Sequence, residues 1–327
     1  MSTSEPKLLL TVFGATGQQG GSIIRTVLST PSLASKYRLR GLTRDPSSAA
    51  AQKLHSQGVE IKTIDVNADS TTIASALHGS SVVFALTVTD YTTDTYSTEL
   101  RQGKAIADAA MSAGVPYLIF STLPHVKAIS GGKYTLVGGF DGKAETETYI
   151  RGLSSAGRIK SAFFAPGCFM QNFQHMMAPR SQDGGKTYAI AGVMDPQTRM
   201  PLIDTAGDTG KYVGAILADL DAYEGKVLSA ATEWLSMSEI AEKVGRAIGK
   251  NVAYQQLPVE VYKSFLPENA RHQLVEMYLY IQDYGYFGPE GKEGVEWTVR
   301  NVQESGSGAG QLTTFDSFLV DNPVHIE

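Results

Sequence analysis

A chain of 327 residues, 42% hydrophobic and 19% charged, is long enough for one large α/β domain or for a larger and a smaller one. A net charge of −5 without a long basic run excludes the electrostatic footprint of direct nucleic-acid binding. No run of about 18 apolar residues is present to span a membrane. No charged-then-apolar leader opens the chain. Cys168 is the only cysteine, so no intrachain disulfide can form and a reducing compartment is expected: the cytoplasm, with the nucleus open to a regulator. The six histidines (His55, His78, His125, His175, His272, His325) are scattered without metal-ligand spacing, so no metal site is expected.

In chain order, short apolar runs alternate with helical patterns. KLLLTVFG (7–14), YRLRGLT (37–43), VEIKTID (59–65), SVVFALT (81–87), PYLIFST (116–122) and KSAFFAP (160–166) have strand length. Helical spacing separates them at Ile23–Leu28, Leu100–Ala113 and Gly142–Leu153. Strands alternating with helices predict βαβ units, right-handed crossovers and a doubly wound parallel sheet. Further on, TYAIAG (187–192) and KVLSAAT (226–232) read as strands, and residues 234–252 as a helix. Ser236 and Glu239 form a capping box for that helix, and Gly249 closes it. Val259 to Phe287 reads as helical and aromatic-rich, and SGSGAG (305–310) as a flexible connector. The expected division is a nucleotide-binding part over 1–175, with some later segments returning to it, and a smaller α+β part over 176–327 that walls a cleft at the sheet's carboxyl edge.

The stretch VFGATGQQGG carries three glycines, Gly14, Gly17 and Gly20, between the first strand and the first helix. Gly14 permits the turn, Gly17 the approach of backbone to a pyrophosphate, and Gly20 close packing of helix on strand. A dinucleotide's phosphates then lie at the helix N-terminus, with Thr16, Gln18 and Gln19 beside them. At the end of the second strand stand Thr43, Arg44, Asp45 and Pro46. A guanidinium there suits a 2′-phosphate and favours NADP(H), whereas Asp45 suits a free ribose. Asp65 and Val66, closing the third strand, are placed beside the adenine.

FGATGQQGG (13–21), LTRDP (42–46), LIFSTLPHVKAISGGKY (118–134), FDGKAETETYIR (140–151), APGCFMQNF (165–173) and DYGYFG (283–288) together make the chain resemble the NmrA-like family. These are atypical members of the short-chain dehydrogenase/reductase superfamily. The resemblance implies a Rossmann-type NADP-binding domain with a smaller C-terminal part over the cofactor. It also implies two occupations: regulators that read the NADP(H) state and bind proteins, and reductases or related enzymes acting on small, often secondary-metabolite, substrates. In the resemblance the loop holding Thr87 and Val88 covers the cofactor ribose, and Pro166, Gly167 and Phe169 border the nicotinamide.

Enzymes of the wider superfamily carry Tyr-x-x-x-Lys. Lys143 stands at the lysine position, and four residues earlier is Gly139. Ser121 and Thr122 match the place of the superfamily's active-site serine. Three outcomes stay open: a non-catalytic cofactor binder, a reductase whose proton comes from Lys143 or another group, or a non-redox step with the cofactor retained. Replacement acids are Tyr134, which could swing over the nicotinamide, and His125, Asp141 and Tyr149. Asp141 is also well placed to cap the following helix. Cys168 is expected to be a buried, inert thiol. The Tyr278–Phe287 aromatics are expected in the core, or, where they face the cleft, against a bulky apolar ligand.

Overall fold

The computed structural model describes residues 6–305 and 310–324. The predicted connector therefore lies mostly outside the described residues, as does His325. In the first half the chain runs β1 (Leu8–Val12), α1 (Gln18–Ser29), α2 (Pro31–Lys36), β2 (Tyr37–Thr43), α3 (Ala49–Ser56), β3 (Glu60–Thr63), α4 (Ser70–Leu77), β4 (Val82–Ala85), α5 (Thr95–Ser112), β5 (Tyr117–Ser121), α6 (Val126–Ile129), α7 (Gly138–Ser155) and β6 (Lys160–Pro166). The central strands are buried along almost their whole length, as a parallel sheet covered on both faces requires. Ile23, Ile24 and Val27 of α1 seal one face. Ile106 and Ala110 of α5 and Ile150 of α7 seal the other.

The second half continues with β7 (Cys168–Phe169), β8 (Arg180–Ser181), β9 (Thr187–Gly192), β10 (Arg199–Ile203), α8 (Thr205–Ala218), β11 (Val227–Ala230), β12 (Glu233–Ser236), α9 (Met237–Ile248), β13 (Asn251–Gln256), α10 (Val259–Lys263), α11 (Arg271–Tyr284), α12 (Gly291–Glu304) and α13 (Phe315–Asp321). The main sheet has the order β11-β6-β5-β4-β1-β2-β3, and every described pairing in it is parallel. This is the doubly wound sheet expected, with β11 returning to extend it beyond β6. Two three-stranded sheets, β12-β10-β7 and β13-β9-β8, build the C-terminal part. An aromatic core holding Phe173, Tyr278, Tyr280 and Phe315 packs beneath α9, α11 and α13.

Two expectations need correction. The helix read over 234–252 is confined to α9; the capping box of Ser236 and Glu239 and the left-handed Gly249 mark its true ends. Outside those caps, Trp234 pairs with Pro201 in β12, and Val252 with Tyr188 in β13. The stretch read as helical over 259–287 is divided into two helices, α10 and α11. Pro267 falls between them, and its ring disfavours helical backbone at Leu266.

Candidate functional site

At the carboxyl end of β1 the chain turns at Gly14, whose φ is +61°, and the Gly17 N–H donates to the Gly14 carbonyl at 2.8 Å. A Cβ on Gly20 would lie 2.3 Å from that same carbonyl oxygen, so only glycine lets α1 sit directly on the turn. No side chain caps α1 and its first turn carries no acid. Its free N–H groups and positive dipole end are thus presented to an anion. Two polar atoms here, Gln19 Oε1 and Thr87 Oγ1 in the loop after β4, are buried without a hydrogen-bond partner among the described residues. Burial of unpaired polar atoms is costly, and a polar ligand seated at the turn would complete both.

At the end of β2, Thr43 Oγ1 lies 3.5 Å from Thr16 Oγ1, joining the two loops. The Asp45 carboxylate accepts from the Ser47 hydroxyl at 2.5 Å and the Ser47 N–H at 2.9 Å, which hold its carboxyl below the usual range. The acid that could compete for a ribose is thus turned toward the start of α3. Arg44 is exposed, with no carboxylate within salt-bridge distance among the described residues. Asp65 is exposed and accepts from the Asn67 N–H at 2.8 Å, while Val66 packs against the core.

Lys143 is buried on α7 with Nζ 2.5 Å from Glu99 Oε1 on α5; Thr89 donates to the same oxygen at 2.5 Å. The helices approach closely because of glycine: a Cβ on Gly142 would come within 2.6 Å of Glu99 Cβ, and one on Gly103 within 2.3 Å of Thr146. Burial pushes the Lys143 ammonium pKa down, and the Glu99 carboxylate opposes that shift. Glu99 is fully buried and its Oε2 has no partner. Gly139 lies one turn before Lys143; a Cβ there would make ordinary contact with Thr89 and Thr95. Ser121 and Thr122 are buried at the end of β5, where the Thr122 N–H donates to the Phe164 carbonyl at 2.9 Å.

A cavity of about 310 Å³ opens between the loop after β4, the start of α7, β7 and α11. Tyr91, Phe140, Phe169, Tyr278 and Tyr286 give it aromatic walls. Gly167 and Cys168 form its floor, where Gly167 donates to the Ala230 carbonyl and a Cβ would stand 2.5 Å from the Pro201 oxygen. Burial pushes the Cys168 thiol up to about 12. Tyr91 follows Thr89 by two residues; burial, and after it the Glu99 charge, raises its pKa. Two wall residues stand near the Lys143–Glu99 pair along the chain, Tyr91 two residues after Thr89 and Phe140 one turn before Lys143 on α7, while neither Lys143 nor Glu99 lines the cavity.

The NmrA-like family model matches residues 6–319. The chain belongs to the NmrA-like family. An NmrA-like family domain-containing protein of Dictyostelium discoideum is 27% identical over 311 residues, covering 94% of this chain and 95% of that one. An NmrA-like family domain-containing oxidoreductase of Penicillium ochrochloron is 28% identical over 275 residues, covering 80% and 79%. Among solved structures, the negative transcriptional regulator NmrA in complex with NADP superposes with a TM-score of 0.78 at 22% identity, covering 97% of this chain and 95% of that one. The Citrobacter triphenylmethane reductase complexed with NADP(H) gives 0.72 at 20% identity, covering 96% and 99%. NmrA is also crystallised with NAD. No described helix is long and apolar enough to cross a membrane.

The replacement acids of this NmrA-like chain are engaged elsewhere. Tyr134, expected to be free to swing, donates to Asp283 on α11 at 2.7 Å and packs edge-on against Tyr280 and Tyr284. Tyr149 donates to Asp108 at 2.6 Å. His125 lies between Asp141 and Glu145, each 3.0 Å from a ring nitrogen. Asp141 does not cap α7: the helix starts earlier, at Gly138, and the carboxylate accepts from the Lys127 N–H instead. The residue that sequence reasoning missed is Glu99. Its signal was a carboxylate on the face of α5 that also carries Gln102, Gly103, Ile106 and Ala110, all buried.

Proposed function

We propose that this NmrA-like chain is an NADP(H)-dependent enzyme acting on a bulky apolar small molecule. The action is reduction, or a non-redox step with the cofactor retained. The observation that carries this reading is the aromatic cavity whose walls include Phe140, one turn before Lys143 on α7. A pocket of this size and lining suits a small organic molecule better than a protein contact. In this reading the glycine turn and the start of α1 hold the pyrophosphate, Thr43 and Arg44 the 2′-phosphate, and Lys143 the nicotinamide ribose. When bound, NADPH supplies a hydride. The chain orients the acceptor between aromatic rings, excludes water, and holds a proton at Lys143 Nζ. Residues 1–175 act mainly as the nucleotide part and 176–327 mainly as the substrate part, with Tyr91, Phe140 and Phe169 of the first part lending walls to the substrate cavity. The reading is supported by the curated relatives named oxidoreductases.

A second reading, a regulator that senses NADP(H), draws on one observation: Gly139 removes the usual proton donor. The deciding experiment follows NADPH consumption with a panel of planar quinones, enones and imines. Turnover that is lost in the folded Glu99→Leu/Lys143→Met variant and in Tyr278→Trp, which fills the cavity, supports the enzyme. Tight NADPH binding with no consumption across the panel, together with a protein partner that distinguishes NADPH from NADP, sinks it in favour of the regulator.

A further inference from the structure

A second cavity of about 370 Å³ lies against the β13-β9-β8 sheet and α10. Its walls are mainly aliphatic, with Met176, Leu257, Val261 and Leu266 joined by Phe265, and Arg180 is its one charged lining residue. Met176, Val261 and Phe265 are exposed, at 51%, 44% and 59%. Three large apolar side chains exposed around one depression form a patch that needs a reason. Met176 and Met177 line this outer cavity and also the inner aromatic one. The remaining partition is a pair of rings: Tyr262 lines the outer cavity, Tyr278 the inner, and the two meet edge-on with centroids 6.1 Å apart.

We propose that the two cavities are one bipartite substrate site, which takes a planar ring in the inner cavity and a flexible hydrocarbon arm in the outer one. The inference rests on the enzyme reading above. Shape and chemistry assign the ends. The flat aromatic walls of the inner cavity, Phe140 among them one turn from Lys143, receive a ring. The outer walls of Met, Leu and Val, open to solvent, receive an alkyl arm. The partition is movable because methionine is unbranched, with three rotatable bonds and a soft sulfur, and can change rotamer without emptying the core. Each cavity alone is near the lower end of the range for small-molecule sites; joined, they fall well within it. Arg180 at the outer rim can meet a polar or anionic terminus of the arm.

The test is equilibrium dialysis of the full chain, with saturating NADP⁺ so that nothing is reduced. The probes are 1,4-naphthoquinones bearing a methyl, butyl or octyl group. The octyl compound carries seven more methylenes than the methyl one, and each buried methylene multiplies affinity by about two to four, so it should bind at least about a hundredfold tighter. That ratio should collapse to about threefold or less in Val261→Asp/Phe265→Asp, and in Met177→Phe, which closes the passage. Equal affinity of methyl and octyl compounds in the wild type overturns the bipartite site. So does an octyl advantage that survives in Val261→Asp/Phe265→Asp, because the arm then binds elsewhere. Binding of none of the three overturns the inner-cavity reading as well, which separates the two failures.

Discussion

Lys143 Nζ lies 2.5 Å from Glu99 Oε1, a buried ion pair that ties α7 to α5. Removing one partner of such a pair strands a charge in the interior, at a cost of about 3–5 kcal/mol. Glu99→Ala should lose that much in urea denaturation, whereas Glu99→Leu/Lys143→Met should recover most of it. If Lys143 also holds the cofactor, the double variant folds but binds NADPH at least about tenfold more weakly by titration calorimetry. Unchanged affinity in a folded double variant removes Lys143 from the cofactor site. The pH dependence adds a check. Burial lowers the Lys143 pKa while Glu99 raises it, so Glu99→Gln should shift the alkaline loss of NADPH affinity to lower pH.

Much of the sheet was legible because its strands are punctuated locally. The predicted runs 37–43, 160–166 and 187–192 coincide with β2, β6 and β9 residue for residue. Strand ends were overrun where apolar residues continue past the last ladder pair, as at Phe13 and Leu86. Less legible was what depends on distant partners. Val252 belongs to a strand because β9, some 60 residues earlier, offers a parallel edge. The inner cavity joins Tyr91 to Tyr278 and Tyr286, and no local pattern signals such a meeting. Glu99 was visible as a charge on a buried helix face, but its partner was set by the glycines that bring α7 against α5.

Arg44 is exposed, with no carboxylate within salt-bridge distance among the described residues, while Asp45 is held by Ser47. NADPH should therefore bind at least about tenfold tighter than NADH, a difference of about 1.4 kcal/mol. Arg44→Ala should abolish most of that preference and change NADH affinity by less than about twofold. Because NmrA is crystallised with both NADP and NAD, the preference has to be measured on this chain. Equal affinities in the wild type would remove the role given to Arg44.

Tyr134 and Lys133 both donate to Asp283, and those bonds hold its carboxyl below the usual range. A depressed carboxyl stabilises the fold above its ordinary pKa of 3.8, and that contribution is lost as pH falls through the lower folded value. Tyr134→Phe should therefore cost about 1 kcal/mol at neutral pH. The difference from the wild type should close below about pH 3.8, as followed by thermal melts across pH. Turnover should persist, since the phenol serves the packing of α11. Loss of turnover in a stable Tyr134→Phe protein would return this tyrosine to the catalytic site.

Cys168 sits in the floor of the inner cavity, but burial pushes its thiol up to about 12. At pH 8 the thiol is then held almost wholly protonated, and the thiolate is the reactive form. Iodoacetamide should leave the native chain unmodified over hours and alkylate Cys168 within minutes in urea. Bound NADP⁺ and an apolar ring in the cavity should slow the native reaction further by covering the sulfur. Cys168→Ser should keep the fold, losing about 1–2 kcal/mol because a hydroxyl is desolvated where a thiol was at ease. Rapid alkylation of the native chain at pH 8 would show a thiolate that burial does not permit, and would reopen Cys168 as a redox-responsive group.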